Sequence, residues 1–293
     1  MTGYSKIAIV TGANKGIGLA IVRNLALQYP KSSLNAGPLL IYLTARSSTR
    51  GEEAVKTLLA DPQLKAAKAL TQDGGLSTIT FGHLDITDET SIRYFKDLVK
   101  KGYPDGIDIL VNNAGIYIDA SDVNMVKNLF KTNYYGTLAM MKEFLPLIRP
   151  TGRLVNVASM DGQLELYSEP LKQAFAEASK TSTEACTVLM EKFIADLETG
   201  KGETEGWPVV GYAYCVSKAG EIAATKAAAV ESAKSGGEVL INACCPGFVN
   251  TDMTRGHGTM TVDEGAKTPV LLALGDIGGV TGGFWKDGVI VEW

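Results

Sequence analysis

Glycines 12, 16 and 18 fall in the run Thr11-Gly-Ala-Asn-Lys-Gly-Ile-Gly18, directly after the apolar stretch Ile7-Ala-Ile-Val10. Ile17, Ile21, Val22 and Leu25 then recur at helical spacing. A glycine turn between a buried strand and a helix suits a phosphate-bearing ligand. Glycine permits the tight turn, lets backbone N–H groups approach a pyrophosphate and allows close helix packing; the helix N-terminus adds a favourable dipole. Such turns also serve as plain connectors, but the strand–turn–helix context points to a bound dinucleotide. The spacing is G-x3-G-x-G rather than G-x-G-x-x-G, and the mechanics are the same.

The second strand, Leu39–Thr44, bears on which dinucleotide. An NAD site offers an acidic residue at that strand's end for the ribose 2′-OH. Here the strand runs into Ala45-Arg46-Ser47, with no carboxylate. Arg46 suits a 2′-phosphate, and Lys15 inside the glycine turn adds a second positive charge. Both also fit as solvated surface cations; with the acid missing, the pair favours NADPH over NADH. The four cysteines, Cys186, Cys215, Cys244 and Cys245, match neither a zinc spacing nor a disulfide framework, and His83 and His257 have no nearby ligand partners. No metal site is expected.

The elements that would carry these residues alternate. Short β-rich runs stand at Ile7–Val10, Leu39–Thr44, Thr78–Leu84, Ile109–Val111, Arg153–Val157 and Val239–Ala243, with helical patterns between them. The order predicts an α/β fold: a Rossmann-type, doubly wound parallel sheet with helices on both faces. Gly288–Val291 is a candidate edge strand. Pro30–Pro38 reads as a loop, Lys65–Gly75 as a polar excursion and Gly200–Gly206 as a mobile loop. Residues 160–207 break the rhythm as a helical insertion, with Leu189, Phe193, Ile194 and Leu197 forming an apolar stripe. No linker composition separates a second core, so residues 1–293 are read as one domain.

Charged residues make up 20% of the 293 and the net charge is −4, which gives no basic footprint for nucleic acid. The run Ile7–Val10 is too short for a signal segment or a membrane span, and no later stretch would cross a bilayer. A cytoplasmic enzyme acting on a small molecule is the expectation.

Further motifs follow in order: Asp85 after the third strand, Asn112-Asn-Ala-Gly115 after the fourth, and Asn133 in Lys-Thr-Asn-Tyr-Tyr-Gly. Ser159 follows the fifth strand, then Tyr214-Cys-Val-Ser-Lys218, and Pro246-Gly247 after the sixth. With Thr11–Gly18, this series resembles the short-chain dehydrogenase/reductase superfamily over nearly the whole chain. The stretches Asn14–Arg23, Leu43–Arg46, Glu205–Pro208 and Asn242–Gly247, with the insertion before the tyrosine, are similar to its monomeric NADPH-dependent carbonyl reductases.

That resemblance implies a Ser-Tyr-Lys-Asn site. Tyr214 would donate the proton to the carbonyl oxygen. A free phenol has a pKa of about 10, and Lys218, on the same helical face, would supply the positive charge that lets it titrate, and would hold the nicotinamide ribose. Ser159 would hydrogen-bond the substrate oxygen as charge develops; as a residue after a strand it also suits a cap or turn. Asn133 would hold a water linking Lys218 to solvent, or would merely satisfy backbone groups. Along the cofactor the resemblance places Gly12, Asn14, Lys15, Gly16, Ile17 and Gly18. It puts Arg46 at the 2′-phosphate, Asp85 and Ile86 beside the adenine, Asn113 and Gly115 along the chain, and Val249 and Thr251 near the nicotinamide amide. Asp85 also suits capping of the helix that begins near Asp88. Tyr212, six residues before the lysine, reads as packing or pocket lining.

The sequence departs from the carbonyl reductases in the loops 30–38 and 65–75, in Met160–Leu166, and at Phe248, where a tryptophan is expected. The last two border the substrate, so its identity does not carry over. Cys244-Cys245 admits two readings: a buried pair ending a strand, or a thiol near the substrate, as in the similar reductases. The insertion is expected to cover the helices through which most of the superfamily associate, which predicts a monomer. Three functions stay open: reduction of ketones, aldehydes or quinones; a dedicated reductase of a steroid or biosynthetic intermediate; and a non-catalytic dinucleotide-binding scaffold.

Overall fold

The computed structural model describes residues 3–120, 122–208 and 213–293; Tyr212 lies outside the described residues. In chain order the elements are β1 (Lys6–Val10), α1 (Gly16–Gln28), β2 (Leu39–Ala45), α2 (Ser48–Ala60), α3 (Pro62–Ala66) and β3 (Ser77–His83). Next come α4 (Glu89–Gly102), β4 (Ile107–Asn112), α5 (Val123–Phe130), a π-helical turn (Lys131–Gly136), α6 (Thr137–Phe144) and β5 (Ile148–Val157). The last are α7 (Glu169–Thr181), α8 (Thr183–Glu198), α9 (Ala213–Lys234), β6 (Leu240–Cys245), α10 (Val262–Leu274), β7 (Phe284–Lys286) and β8 (Val289–Ile290).

The strands form one sheet in the order β3-β2-β1-β4-β5-β6-β7-β8, parallel except for the β7–β8 pair. Alternation along each strand decides the layers. Ala8, Val10, Ile41 and Leu43 pack with α1, α2, α3 and α10 on one face. Ile7, Ile9, Leu40 and Tyr42 pack with α4, α6 and the end of α9 on the other. A doubly wound sheet results, and its 3-2-1-4-5-6 order puts a switch point between β1 and β4, where such folds bind ligands. Side-chain caps start several helices: Ser47 accepts from the Arg50 N–H, Asp88 from the Thr90 N–H, and Thr261 with Glu264 makes a capping box. Among the described residues, no helix is long and apolar enough to cross a membrane.

The insertion holds two helices, because Ser182 separates them and caps α8 through the Ala185 N–H. Its inner side buries Phe175, Cys186, Met190, Phe193 and Trp207 against α5 and α9. That apolar cover wraps α9, whose residues are buried nearly all round between Ala213 and Ala229.

Several expected boundaries shift. Strand β5 starts at Ile148 instead of Arg153, crossing Pro150–Gly152 with Thr151 at φ +63°. The supposed polar excursion 65–75 begins inside α3 and buries Ala69 and Leu70 almost completely, two apolar residues too few to show a period. Residues 200–206 are tied down: the Lys201 N–H donates to the Asp196 carbonyl, and the Glu205 carboxylate accepts from Lys192. Strand β7 has only three residues, too short for a periodicity to show.

Candidate active site

Thr11, at the end of β1, ties the glycine turn to the β4 exit. Its hydroxyl accepts from the N–H groups of Asn113 and Ala114, both at 3.0 Å, and the Asn113 amide donates back to the carbonyls of Thr11 and Gly12. Gly12 stands at φ +61°, where a Cβ would lie 2.8 Å from the Ala114 Cα. A Cβ on Gly18 would meet the Gly12 carbonyl at 2.7 Å. Glycine is therefore required at both places, and the turn stays flat. Lys15 is the N-cap residue of α1 but its side chain caps nothing, and no acid stands in the first turn. The first N–H groups of α1 thus open onto a turn in which Gly12 and Gly16 present bare backbone, a fit for pyrophosphate.

Arg46 is exposed just past β2, and Asp85 stands beyond the next strand. Burial works to raise the Asp85 carboxyl, but hydrogen bonds from Thr87 and the charges of Arg46 and Lys131 hold it below the usual range. Asp85 does not cap α4: it accepts from the Thr87 N–H and hydroxyl, and the cap is Asp88. Ile86 is buried against the π-turn, where a Cβ on Gly136 would lie 2.8 Å from its carbonyl. The Lys15 ammonium pairs with Asp252 at 2.6 Å, both exposed. Val249 is buried, and the Thr251 methyl would be 3.6 Å from a Cβ on Gly16, so the segment after β6 faces the glycine turn. Asn14 and Ile17 stay partly exposed in that turn.

At the ends of β4 and β5 the remaining residues meet. Ser159 follows β5, where its hydroxyl accepts from the Asp161 N–H at 3.1 Å and starts a 3₁₀ turn at Met160–Gly162. The same hydroxyl faces the Tyr214 phenol and favours its ionised form. Capping and facing the site are compatible here. Gly162 lets the turn lie on α9: a Cβ there would be 2.8 Å from the Lys218 carbonyl carbon. Tyr214 and Lys218, four residues apart on α9, point to this end, with the Lys218 Nζ 5.9 Å from the Tyr214 ring centre. The Tyr117 ring contacts the Tyr214 ring edge-on at 5.3 Å.

Asn133 is fully buried in the π-turn. Its side chain accepts from the Ile116 N–H at 2.8 Å and donates to the Ile116 carbonyl and the Ser217 hydroxyl. Both amide N–H donors and one lone pair of Oδ1 are thus spent on anchoring the loop after β4 to α9. What brings Asn133 to the site is the π-turn, a device frequent at functional sites. Gly115 lies opposite, where a Cβ would be 3.4 Å from the Asn133 Oδ1 and 3.7 Å from the Lys218 Nζ.

Lys218 is 4% exposed and donates to the Val157 carbonyl at 3.0 Å and to the Glu221 carboxylate at 2.7 Å. Burial works to lower its pKa, but the charges of Glu221 and Tyr214 prevail and raise it. Burial pushes the Tyr214 phenol above 10.0, and the Lys218 ammonium pulls it back without cancelling the rise. The lysine has the expected sign of effect and is outweighed by desolvation. Cys244 and Cys245 are both buried, and burial raises both thiols, which is the reading of a small apolar pair ending β6. Two cavities, of about 320 and 310 Å³, lie beside Leu138 and Glu231 and beside Leu27 and Val270, and neither is lined by these site residues.

Three side-chain roles escaped the sequence reading. Thr11 is an inconspicuous strand-end threonine whose role needs the β1–β4 neighbourhood. Lys131 reaches Asp85 only through the π-turn. Glu221 left a signal, a lone acid in the otherwise small and apolar Ala219–Ala224 run three residues past the lysine.

The family described as short chain dehydrogenase matches residues 6–192 and 202–261. Carbonyl reductase (NADPH) 3 of Rattus norvegicus is 41% identical over 283 residues, covering 94% of this chain and 92% of that protein. Carbonyl reductase (NADPH) 1 of Homo sapiens is 40% identical over 304 aligned positions, covering 100% of both chains. Among solved structures, salutaridine reductase from Papaver somniferum superposes with a TM-score of 0.79 at 27% identity, covering 96% of this chain and 99% of that one. Its ordered motifs, its sheet order and these full-length likenesses agree: the chain belongs to the short-chain dehydrogenase family.

Proposed function

We propose that this protein is an NADPH-dependent carbonyl reductase that converts ketones, aldehydes or quinones to alcohols. The observation that carries the reading is the convergence of Ser159, Tyr214 and Lys218 at the strand ends beside an unobstructed glycine turn. Gly12, Gly16, Gly18 and the α1 N-terminus would take the pyrophosphate, Arg46 the 2′-phosphate, and the segment around Val249 and Thr251 the amide end. When bound, the cofactor's chemistry is a hydride for the carbonyl carbon.

The chain's own groups handle the oxygen and the proton. The Tyr214 hydroxyl donates its proton to the carbonyl oxygen as negative charge grows there, and the Ser159 hydroxyl donates a hydrogen bond to the same oxygen. Lys218, with two N–H bonds already fixed by Val157 and Glu221, keeps one donor for the ribose and sets the charge facing the phenol. Asn133 holds the loop of Gly115–Ile116 against α9 and so keeps the floor of the site in place. Exposed Tyr117 and Phe248 offer an apolar wall to the substrate.

A panel of carbonyl compounds with NADPH and with NADH, followed by loss of reduced-cofactor absorbance, tests this. The expected result is turnover of many carbonyls with preference for NADPH. Turnover of one compound alone would indicate a dedicated reductase, and none with any compound would indicate a scaffold.

The protein is further proposed to be a single-domain cytoplasmic monomer. Support comes from α7 and α8, which lie over α9 and α5 and bury Phe175 and Phe193 where apolar helix surface would otherwise be open to a second copy. Light scattering at micromolar concentration is expected to return 31.1 kDa. Twice that mass would refute the monomer.

A further inference from the structure

Glu221 is a buried charge that the proposed chemistry does not use. It is 2% exposed, on the third turn of a helix enclosed by the sheet, the insertion and the 160–162 turn. A carboxylate there is costly unless it is paired. Its partner is the Lys218 ammonium, 2.7 Å away and itself held by the Val157 carbonyl. The only described lysine in reach of the Tyr214 phenol is thus bound from behind by an acid.

We infer that Glu221 is a positioning residue for the proton donor: locked on the Lys218 Nζ from the protein interior, its negative charge offsets part of the ammonium's action on the Tyr214 phenol, keeps that phenol protonated and biases the site toward carbonyl reduction. The inference rests on the reading of Tyr214 as proton donor.

Other groups facing the pair do not replace this effect. Asp161, on the turn after β5, also favours the protonated phenol, but it is exposed and screened by water. Cys244 and Cys245, at the end of β6, are held neutral by burial. Ser159 faces the phenol and is uncharged. Thr225 donates to the Glu221 backbone carbonyl rather than its carboxylate, and accepts from the Asn156 amide. Burial pushes the Glu221 carboxyl above the usual carboxylate range, and the ammonium beside it offsets only part of that rise.

The sign follows from charge alone. Tyr214 and Lys218 titrate as a coupled pair, and removing a nearby anion makes the first proton of such a pair easier to lose, whichever atom releases it. Reduction needs that proton, so it is present below the pair's first pKa and lost above it. Glu221→Gln is therefore expected to move the alkaline limb of single-turnover NADPH oxidation, at saturating substrate, down by about one pH unit or more. Glu221→Asp withdraws the charge by one methylene and should shift the limb the same way by less, which keeps the test available if the glutamine variant does not fold.

Each variant is first checked for cooperative melting and NADPH binding. An alkaline limb that stays in place in either folded, NADPH-binding variant would overturn the inference. Should Tyr214→Phe turn over at the wild-type rate, the donor assignment itself fails; loss of turnover in that variant with unmoved limbs at Glu221 would sink only the role given to Glu221.

Discussion

Tyr214→Phe is expected to slow carbonyl reduction by about 10²- to 10⁴-fold, the usual contribution of a positioned general acid. That is a loss of about 3–5 kcal/mol of transition-state stabilisation. Only the hydroxyl is removed. The ring keeps its edge-on contact with Tyr117, and α9 keeps its packing, so the fold and NADPH binding should be retained. Lys218 keeps its bonds to Val157 and Glu221. Stopped-flow measurement of NADPH oxidation, alongside an NADPH titration, checks both halves. Wild-type turnover in the variant would remove Tyr214 from the chemistry, and loss of NADPH binding would mean the hydroxyl serves the cofactor instead.

The second large effect is at the glycine turn. Gly12→Val is expected to weaken NADPH by at least about 100-fold, for two reasons that add. A β-branched residue is a genuine outlier at φ +61°, and its Cβ would press on the Ala114 backbone. The turn must then move, and with it the N–H groups that would face the pyrophosphate; losing even two bonds to a charged group costs about 3–6 kcal/mol. Cofactor fluorescence titration of the folded variant gives the result. Unchanged affinity would mean that the dinucleotide does not use this turn.

Much of the architecture could be read from the chain alone, because doubly buried parallel strands such as Ile7–Val10 are unbroken apolar runs and the helices between them carry caps and a period. What escaped had a physical reason. Strand β7 is too short to have a period, and Ala69 and Leu70 are too few to mark the 65–75 stretch as buried. At the site, spacing alone put Tyr214 and Lys218 on one face, and the glycine positions marked a turn. Spacing could not tell that Asn133 uses its amide on Ile116, that Asp85 turns to Thr87 rather than α4, or that Lys15 pairs with Asp252. The Asn133 and Lys15 bonds join segments 17 and 237 residues apart, where tertiary placement makes the choice, while the Asp85–Thr87 bond is a local turn that competes with the cap. Net charge at Tyr214 was the hardest to foresee, since burial and a neighbouring acid act against the lysine.

A crystal structure of the complex with NADP⁺ and a carbonyl inhibitor bears most directly on the whole account. The account predicts the pyrophosphate across Gly12–Gly18, the 2′-phosphate at Arg46, and the inhibitor oxygen within hydrogen-bond reach of both the Tyr214 and Ser159 hydroxyls. A dinucleotide bound elsewhere, or an inhibitor oxygen out of reach of Tyr214, would contradict it.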